Sequence, residues 1–329
     1  MNAKTGRRLF WVALVVLALA GLFLSVLTGP VKTTAGDLLE FLRQYDRVQA
    51  AIFLDLRLAR AVLAFLVGAA LSLSGAILLG YFRNPMADPF VVGVSSGAAL
   101  GAVASLSLGI GATVLGFPAQ GLAAFVFGLG IVSIVYLLSS RRGDLRVETL
   151  LLTGIAAGAL ASSLTSFLLF MRSDSFDQAV FWLLGSFQLA EWAQVAAVAP
   201  WFLLALLVAL WLARDMNLLA LGDEAARALG CPVATVRKVF LGAASLLAAL
   251  SVSVSGIIGF VGLVVPHWVR ILIGPEHRRL FLGASLAGGT FLLYCDLLAR
   301  TVLPSELPIG VITAAVGAPF FLYLLHRKR

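Results

Sequence analysis

The sequence predicts an all-α, polytopic membrane protein, a single transmembrane unit over residues 1–329, and three observations carry that reading. Hydrophobic residues make up 61% of the chain and charged residues 12%, about half the charged share of an ordinary soluble domain. A soluble chain of this length would need more polar surface to cover itself. The apolar residues also run in blocks long enough to cross a hydrocarbon core, which takes about 20 helical residues. The alternating segments of about ten residues that mark a membrane β-barrel do not occur.

The blocks resolve into ten transmembrane helices, at about 9–28, 58–80, 90–109, 117–138, 148–171, 192–213, 237–256, 258–273, 281–300 and 308–326. In the first, Lys4, Arg7 and Arg8 precede an apolar run to Leu27 that is long for a signal peptide and lacks a small-residue cleavage site, so a retained helix is expected. The eighth is the shortest, interrupted by Pro266 and His267. A polar connection at 29–57 carries Asp37, Glu40, Arg43 and Asp46. The 172–191 connection places Asp174, Asp177 and Glu191 around an aromatic-rich FWLLGSF, the pattern of a short interfacial helix. Clusters of Gly, Ala and Ser at 93–102, 153–163 and 282–289 read as faces where helix backbones approach closely.

Charge sets the orientation. Of the 24 Lys and Arg residues, 17 fall on the side of the termini and 7 on the other. The positive-inside rule therefore puts both termini, including Arg327, Lys328 and Arg329, in the cytoplasm. The net charge of +8 is spent in these small groups and gives no nucleic-acid surface. Cys231 lies in a polar loop and Cys295 in an apolar block, so no bridge between them is expected.

Missing motifs narrow the chemistry. None of the four lysines follows a glycine, so no phosphate-binding loop exists and ATP is not bound by that route. No HExxH or paired-cysteine metal site occurs. Asp296 is the main acidic residue inside a span, and Arg300 one helical turn on is its ready partner. A structural pair is the expectation there, and transport energy must come from elsewhere.

Three polar features remain. The loop RNPMADP (83–89) is a rigid turn between helices, either a tight connection or a gate at the end of a pore. The segment LALGDEAARALG (219–230) sets Leu219, Leu221, Ala225, Ala226 and Leu229 at helical spacing and stops at Gly230 before Pro232. It is too short to span, and its low basicity favours a protein groove over lipid. Arg57, Arg60 and Arg300 stand at outer helix ends against the charge bias, either snorkelling or exposed to dock acidic residues of a partner.

These pieces together resemble the FecCD-type permeases, membrane subunits of ABC importers for iron–siderophore complexes, haem and vitamin B12. The resemblance rests on residues 55–102, on LLGSFQLAEW (183–192), on 219–230, on GIIGFVGLVVPHWVRILIGPEHR (256–278) and on SELPIGVITAAVGAPFF (305–321). It implies a type II ABC importer permease that works as a homodimer in the cytoplasmic (inner) membrane of a bacterium, with its path along the dimer interface. Two ATPase subunits, which hold the ATP and Mg²⁺, would receive coupling helices within about 215–233. The residues so implied are Leu218, Leu221, Gly222, Asp223, Glu224, Arg227, Leu229 and Gly230. An extracytoplasmic substrate-binding protein would dock at Arg57, Arg60 and Arg300. A cytoplasmic gate would comprise Asn84, Met86, Val147 and Glu148, where Glu148 departs from the small uncharged residues usual in the family. The resemblance implies no cofactor and no catalytic residue on this chain. The expected cargo is an iron chelate, siderophore or haem, with cobalamin as the alternative and an ion-coupled secondary carrier as the rival mechanism.

Overall fold

The structure is a computed structural model that describes residues 3–29, 36, 46–84, 86–110, 113–114, 117–141, 144–145, 147–171, 176–303 and 305–327. Asp37, Glu40, Arg43, Pro85, Asp174, Lys328 and Arg329, singled out above, lie outside these residues.

The helices are α1 (Ala3–Leu27), α2 (Arg47–Tyr81), α3 (Val94–Ser107), α4 (Ala119–Ser139), α5 (Val147–Met171), α6 (Phe176–Leu183) and α7 (Trp192–Trp211). They continue with α8 (Ala213–Leu219), α9 (Asp223–Ala228), α10 (Val233–Ser255), α11 (Val261–Ile273), α12 (His277–Thr301) and α13 (Ile309–Arg327). Two minimal antiparallel pairs, Thr113–Val114 with Phe117–Pro118 and Ser140–Arg141 with Asp144–Leu145, lie at the two ends of α4. The fold is therefore a helical membrane bundle, as expected.

Each expected span falls on a helix, but their lengths differ. Among the described residues α1, α2, α4, α5, α7, α10 and α12 are long and apolar enough to cross a bilayer. The apolar helices α3, α11 and α13 are shorter. Local chemistry explains two of these. Asp88 caps a 3-10 turn at Pro89–Val92, and Gly93, at φ +94°, breaks the chain before α3 starts. Gly256 at φ +70° ends α10, and Phe260, in the left-handed region at φ +68°, delays α11 to Val261. Within α2, residues Ala51–Leu58 wind as a π-helix, whose Leu54 carbonyl accepts the Trp192 indole N–H at 3.2 Å. The short helix expected in the 172–191 connection is α6.

α2 is the centre of the bundle. Of its apolar stretch 83% is buried, and α10 and α12 follow at 67%, against 17% for α1 and 22% for α5. The contacts are backbone to backbone: a Cβ on Gly75 would collide with the Gly262 carbonyl of α11, and one on Gly68 with the Gly288 carbonyl of α12. Small residues are here for packing, in lipid where close approach rather than hydrophobic burial holds helices together. The rim helices α4, α5 and α7 instead turn Phe127, Leu137, Leu152, Phe167, Leu207 and Trp211 outward.

Candidate coupling, gate and docking sites

At the end of the bundle where α2 finishes and α10 begins, the amphipathic segment does not form one helix. It splits at Ala220–Gly222 into the end of α8 and the short α9. Gly222, at φ +115°, makes the corner, a conformation that costs a side-chain-bearing residue dearly. Gly230, at φ +83°, lies just past the end of α9, as the sequence predicts.

α9 has two faces. Ala226 is fully buried and Leu218 of α8 packs against the core, while Leu221 (66%) and Leu229 (58%) stand exposed beside Glu224 and Arg227. Asp223 turns inward. Its Oδ1 accepts from Arg83 Nη2 and from Arg237 Nη2, each at 2.8 Å. Arg237 is buried and lies 5.1 Å over the Tyr81 ring. One carboxylate thus ties α9 to the end of α2 and to the first turns of α10. A second tie joins α8 to α12, where the Asn217 side-chain oxygen accepts the His277 backbone N–H at 3.1 Å.

Arg83, in the left-handed region at φ +50°, leads directly into the candidate gate turn. Asn84 Oδ1 accepts the Met86 N–H at 3.0 Å, and the Asn84 carbonyl accepts the Ala87 N–H at 3.1 Å. Asp88 accepts the Phe90 N–H at 2.7 Å, so the turn is fixed at both ends and leaves Met86 39% exposed. Burial pushes the Asp88 carboxyl up to about 6, against the opposing pull of that N–H. Val147 and Glu148 open α5, the first half-buried and the second exposed. The two gate segments meet indirectly: a Cβ on Gly154 of α5 would lie 2.8 Å from the Val91 carbonyl.

At the opposite end the three arginines correct an expectation. They are not exposed. Arg57 is 5% exposed and donates to the Val26 and Leu27 carbonyls at 2.9 and 3.0 Å, closing the end of α1. Arg60 is forked between two carboxylates. It reaches Asp296 at 2.9 Å and 3.1 Å, and Glu306 through Nη1 and Nη2 at 3.0 Å each. Arg300 Nε lies 3.2 Å from Asp296 as an ion pair, without hydrogen-bond geometry, while its Nη1 reaches the Thr28 carbonyl at 3.1 Å. The expected Asp296–Arg300 pair is present, but Asp296 also serves Arg60. Desolvated arginines so close to one another are tolerable only because two carboxylates and several carbonyls surround them. Charge counting registers Arg83 and Arg237 only as markers of orientation, and hydropathy passes over Glu306; the position of Arg83 beside the gate turn is the one local hint.

Both cysteines are buried and free. Among the described residues no group of His, Cys, Asp and Glu could hold a metal ion.

Residues 16–327 match the sequence model of the FecCD transport family. The chain belongs to that family. Among FecCD relatives, it is 45% identical over 273 residues to the cobalamin import system permease BtuC of Halobacterium salinarum, covering 83% of this chain and 73% of that one. It is 41% identical to the hemin transport system permease HmuU of Yersinia pestis, covering 84% of each. It is 39% identical to the vitamin B12 permease BtuC of Escherichia coli, covering 95% and 94%. A solved inward-facing conformation of an ABC transporter assigned to the metal-chelate type superposes with TM-score 0.85 at 33% identity, covering 98% and 99%. This FecCD chain is a multi-pass membrane permease subunit of a type II ABC importer. FecCD permeases work with separate ATPase and binding-protein partners, and ATP hydrolysis belongs to the ATPase.

Proposed function

We propose that two copies of this chain form the conduit for a large metal chelate across the cytoplasmic membrane, each crossing ten times with both termini in the cytoplasm. The cargo class comprises ferric siderophores, haem and cobalamin. An iron chelate is the first reading that the family resemblance gives, and the 45% identity to a cobalamin permease supports cobalamin as the second. The exposed apolar leucines flanking α9, Leu221 and Leu229, with Glu224 and Arg227, are the surface for an ATPase groove. α5 exposes Ser162, Ser163 and Ser166 with Ala156 and Ala159, small residues suited to close approach by a second copy or to lining a path. The Arg57–Arg60–Arg300 end is the docking site for a binding protein, reached when Glu306 gives up its place on Arg60.

The single observation that carries this reading is the Asp223 bridge. It makes a push on α9 a pull on the residue that opens the gate turn, which is what an ATPase acting from outside the chain requires. The test is reconstitution with its ATPase and binding protein in liposomes, followed by uptake of labelled haem, ferric siderophore and cobalamin. ATP-dependent uptake of at least one is expected. Uptake driven by an ion gradient without nucleotide would replace this reading with the secondary-carrier one.

A further inference from the structure

The arginine end of the bundle contains a cavity of about 360 Å³ between α4, α6, α7 and the end of α10. Four glutamines line it, Gln120, Gln178, Gln188 and Gln194, with the aromatic rings of Phe181 and Trp182. Among the described residues no ionisable side chain does. A second cavity of about 280 Å³ shares Phe181, Ser186 and Gln188 with the first and ends on Glu306. That carboxylate is already held by Arg60 at 3.0 Å, so the described lining of the recess offers no uncompensated charge.

The floor is built before any ligand arrives. Ser186 donates its backbone N–H to the Ser255 carbonyl at 2.8 Å, and the Ile309 N–H reaches the Gly185 carbonyl at 3.0 Å. Ser253 and Ser255 spend their hydroxyl protons on the Leu250 and Ser251 carbonyls, at 2.7 and 2.8 Å. Gln194 accepts the Glu191 N–H at 3.3 Å. What remains for a ligand is the set of half-buried or exposed amides at Gln120, Gln178 and Gln188, each with donors and an acceptor, beside two aromatic faces. A carboxylate moved from water into such a recess loses hydration without gaining a cation, whereas a carboxamide or hydroxamate exchanges one set of neutral hydrogen bonds for another. The volume is at the low end for a drug-sized pocket, so it fits the edge of a chelate rather than the whole.

We propose that this recess is a recognition subsite for the periphery of the cargo, accepting uncharged carboxamide, hydroxamate or hydroxyl substituents and disfavouring carboxylates. The proposal rests on the importer reading above. It is tested with the assembled importer in liposomes and three probes: cyanocobalamin, an uncharged ferric trihydroxamate and haem, whose edge carries carboxylates. The unaltered complex should take up a neutral probe in preference to haem. Replacing both Gln178→Leu and Gln188→Leu should lower that uptake roughly tenfold, the loss of about two hydrogen bonds. Gln188→Lys should lower neutral uptake and raise haem uptake, a gain that misfolding cannot produce. Preference for haem by the unaltered complex, or neutral uptake indifferent to these substitutions, would overturn the subsite while leaving the importer standing. Failure of all three probes to enter with ATP would remove both.

Discussion

Asp223 and Arg83 meet at 2.8 Å across 140 residues of chain, and the same aspartate oxygen takes a second 2.8 Å bond from Arg237. The aspartate sits on the helix offered to the ATPase, and the first arginine opens the turn offered as gate. If this bridge transmits motion, Asp223→Asn should leave the complex hydrolysing ATP while cargo delivered per ATP falls on the order of tenfold, the usual size of a coupling free energy. The check is the ratio of uptake to phosphate release in proteoliposomes. An unchanged ratio would reduce the bridge to packing.

The buried charge cluster separates stability from docking. Asp296 is fully buried and serves both Arg60 and Arg300, so Asp296→Ala leaves buried Arg300 without a carboxylate and Arg60 with Glu306 alone, and should cost about 3–5 kcal/mol. Loss of a monodisperse, cooperatively melting protein in detergent is the expected readout. Glu306 is 20% exposed and Arg60 keeps Asp296 without it. Glu306→Gln should therefore cost at most about 1 kcal/mol and tighten binding-protein affinity roughly fivefold, by freeing one side of the Arg60 fork. A titration of immobilised permease with its binding protein decides it; weakened affinity would place Glu306 among the docking groups instead.

Asp88 gives a pH dependence whose sign is fixed. Its carboxyl is raised from 3.8 to about 6 in the fold, so the native state holds a proton that the unfolded chain has lost. Stability is full below 3.8, falls as pH rises through about 6 and is flat above that. The thermal midpoint in detergent should drop by roughly a few degrees between pH 4.5 and pH 7. Asp88→Asn keeps an acceptor for the Phe90 N–H and should flatten the slope. A slope unchanged by that substitution would assign it to other groups.

The glycine contacts of α2 are testable with internal controls. A methyl on Gly75 runs into the Gly262 backbone, which cannot move aside as a side chain can. Gly75→Ala should destabilise by roughly 1–3 kcal/mol. Gly130 and Gly242, in helices with nothing within 4 Å of their would-be Cβ, should accept Ala with no loss or a small gain. Equal melting temperatures for all three would mean the seam can open.

Much of this architecture could be read along the chain because its causes are local. A run of apolar residues makes a membrane helix wherever it sits, and Gly230, Pro89 and the Asp296–Arg300 spacing act within a turn or two. The arginines mislead for the opposite reason. Arg60 reads as outward because its helix end is, yet its partners are 236 and 246 residues away and only the packed bundle brings them in. The same holds for Arg83 with Asp223. The π-helical stretch of α2 and the glutamine-lined recess leave no periodic trace either, since one depends on a register shift and the other on four separate elements.

The backbone seating of α2 against α11 and α12 has a mechanical consequence. Side chains between helices act as a compliant layer that can change rotamer and let one rod slide along another. At Gly68–Gly288 and Gly75–Gly262 that layer is gone. The central helices are keyed together there, so force delivered at one end arrives at the other as a turn of the whole block instead of being dissipated as shear within it.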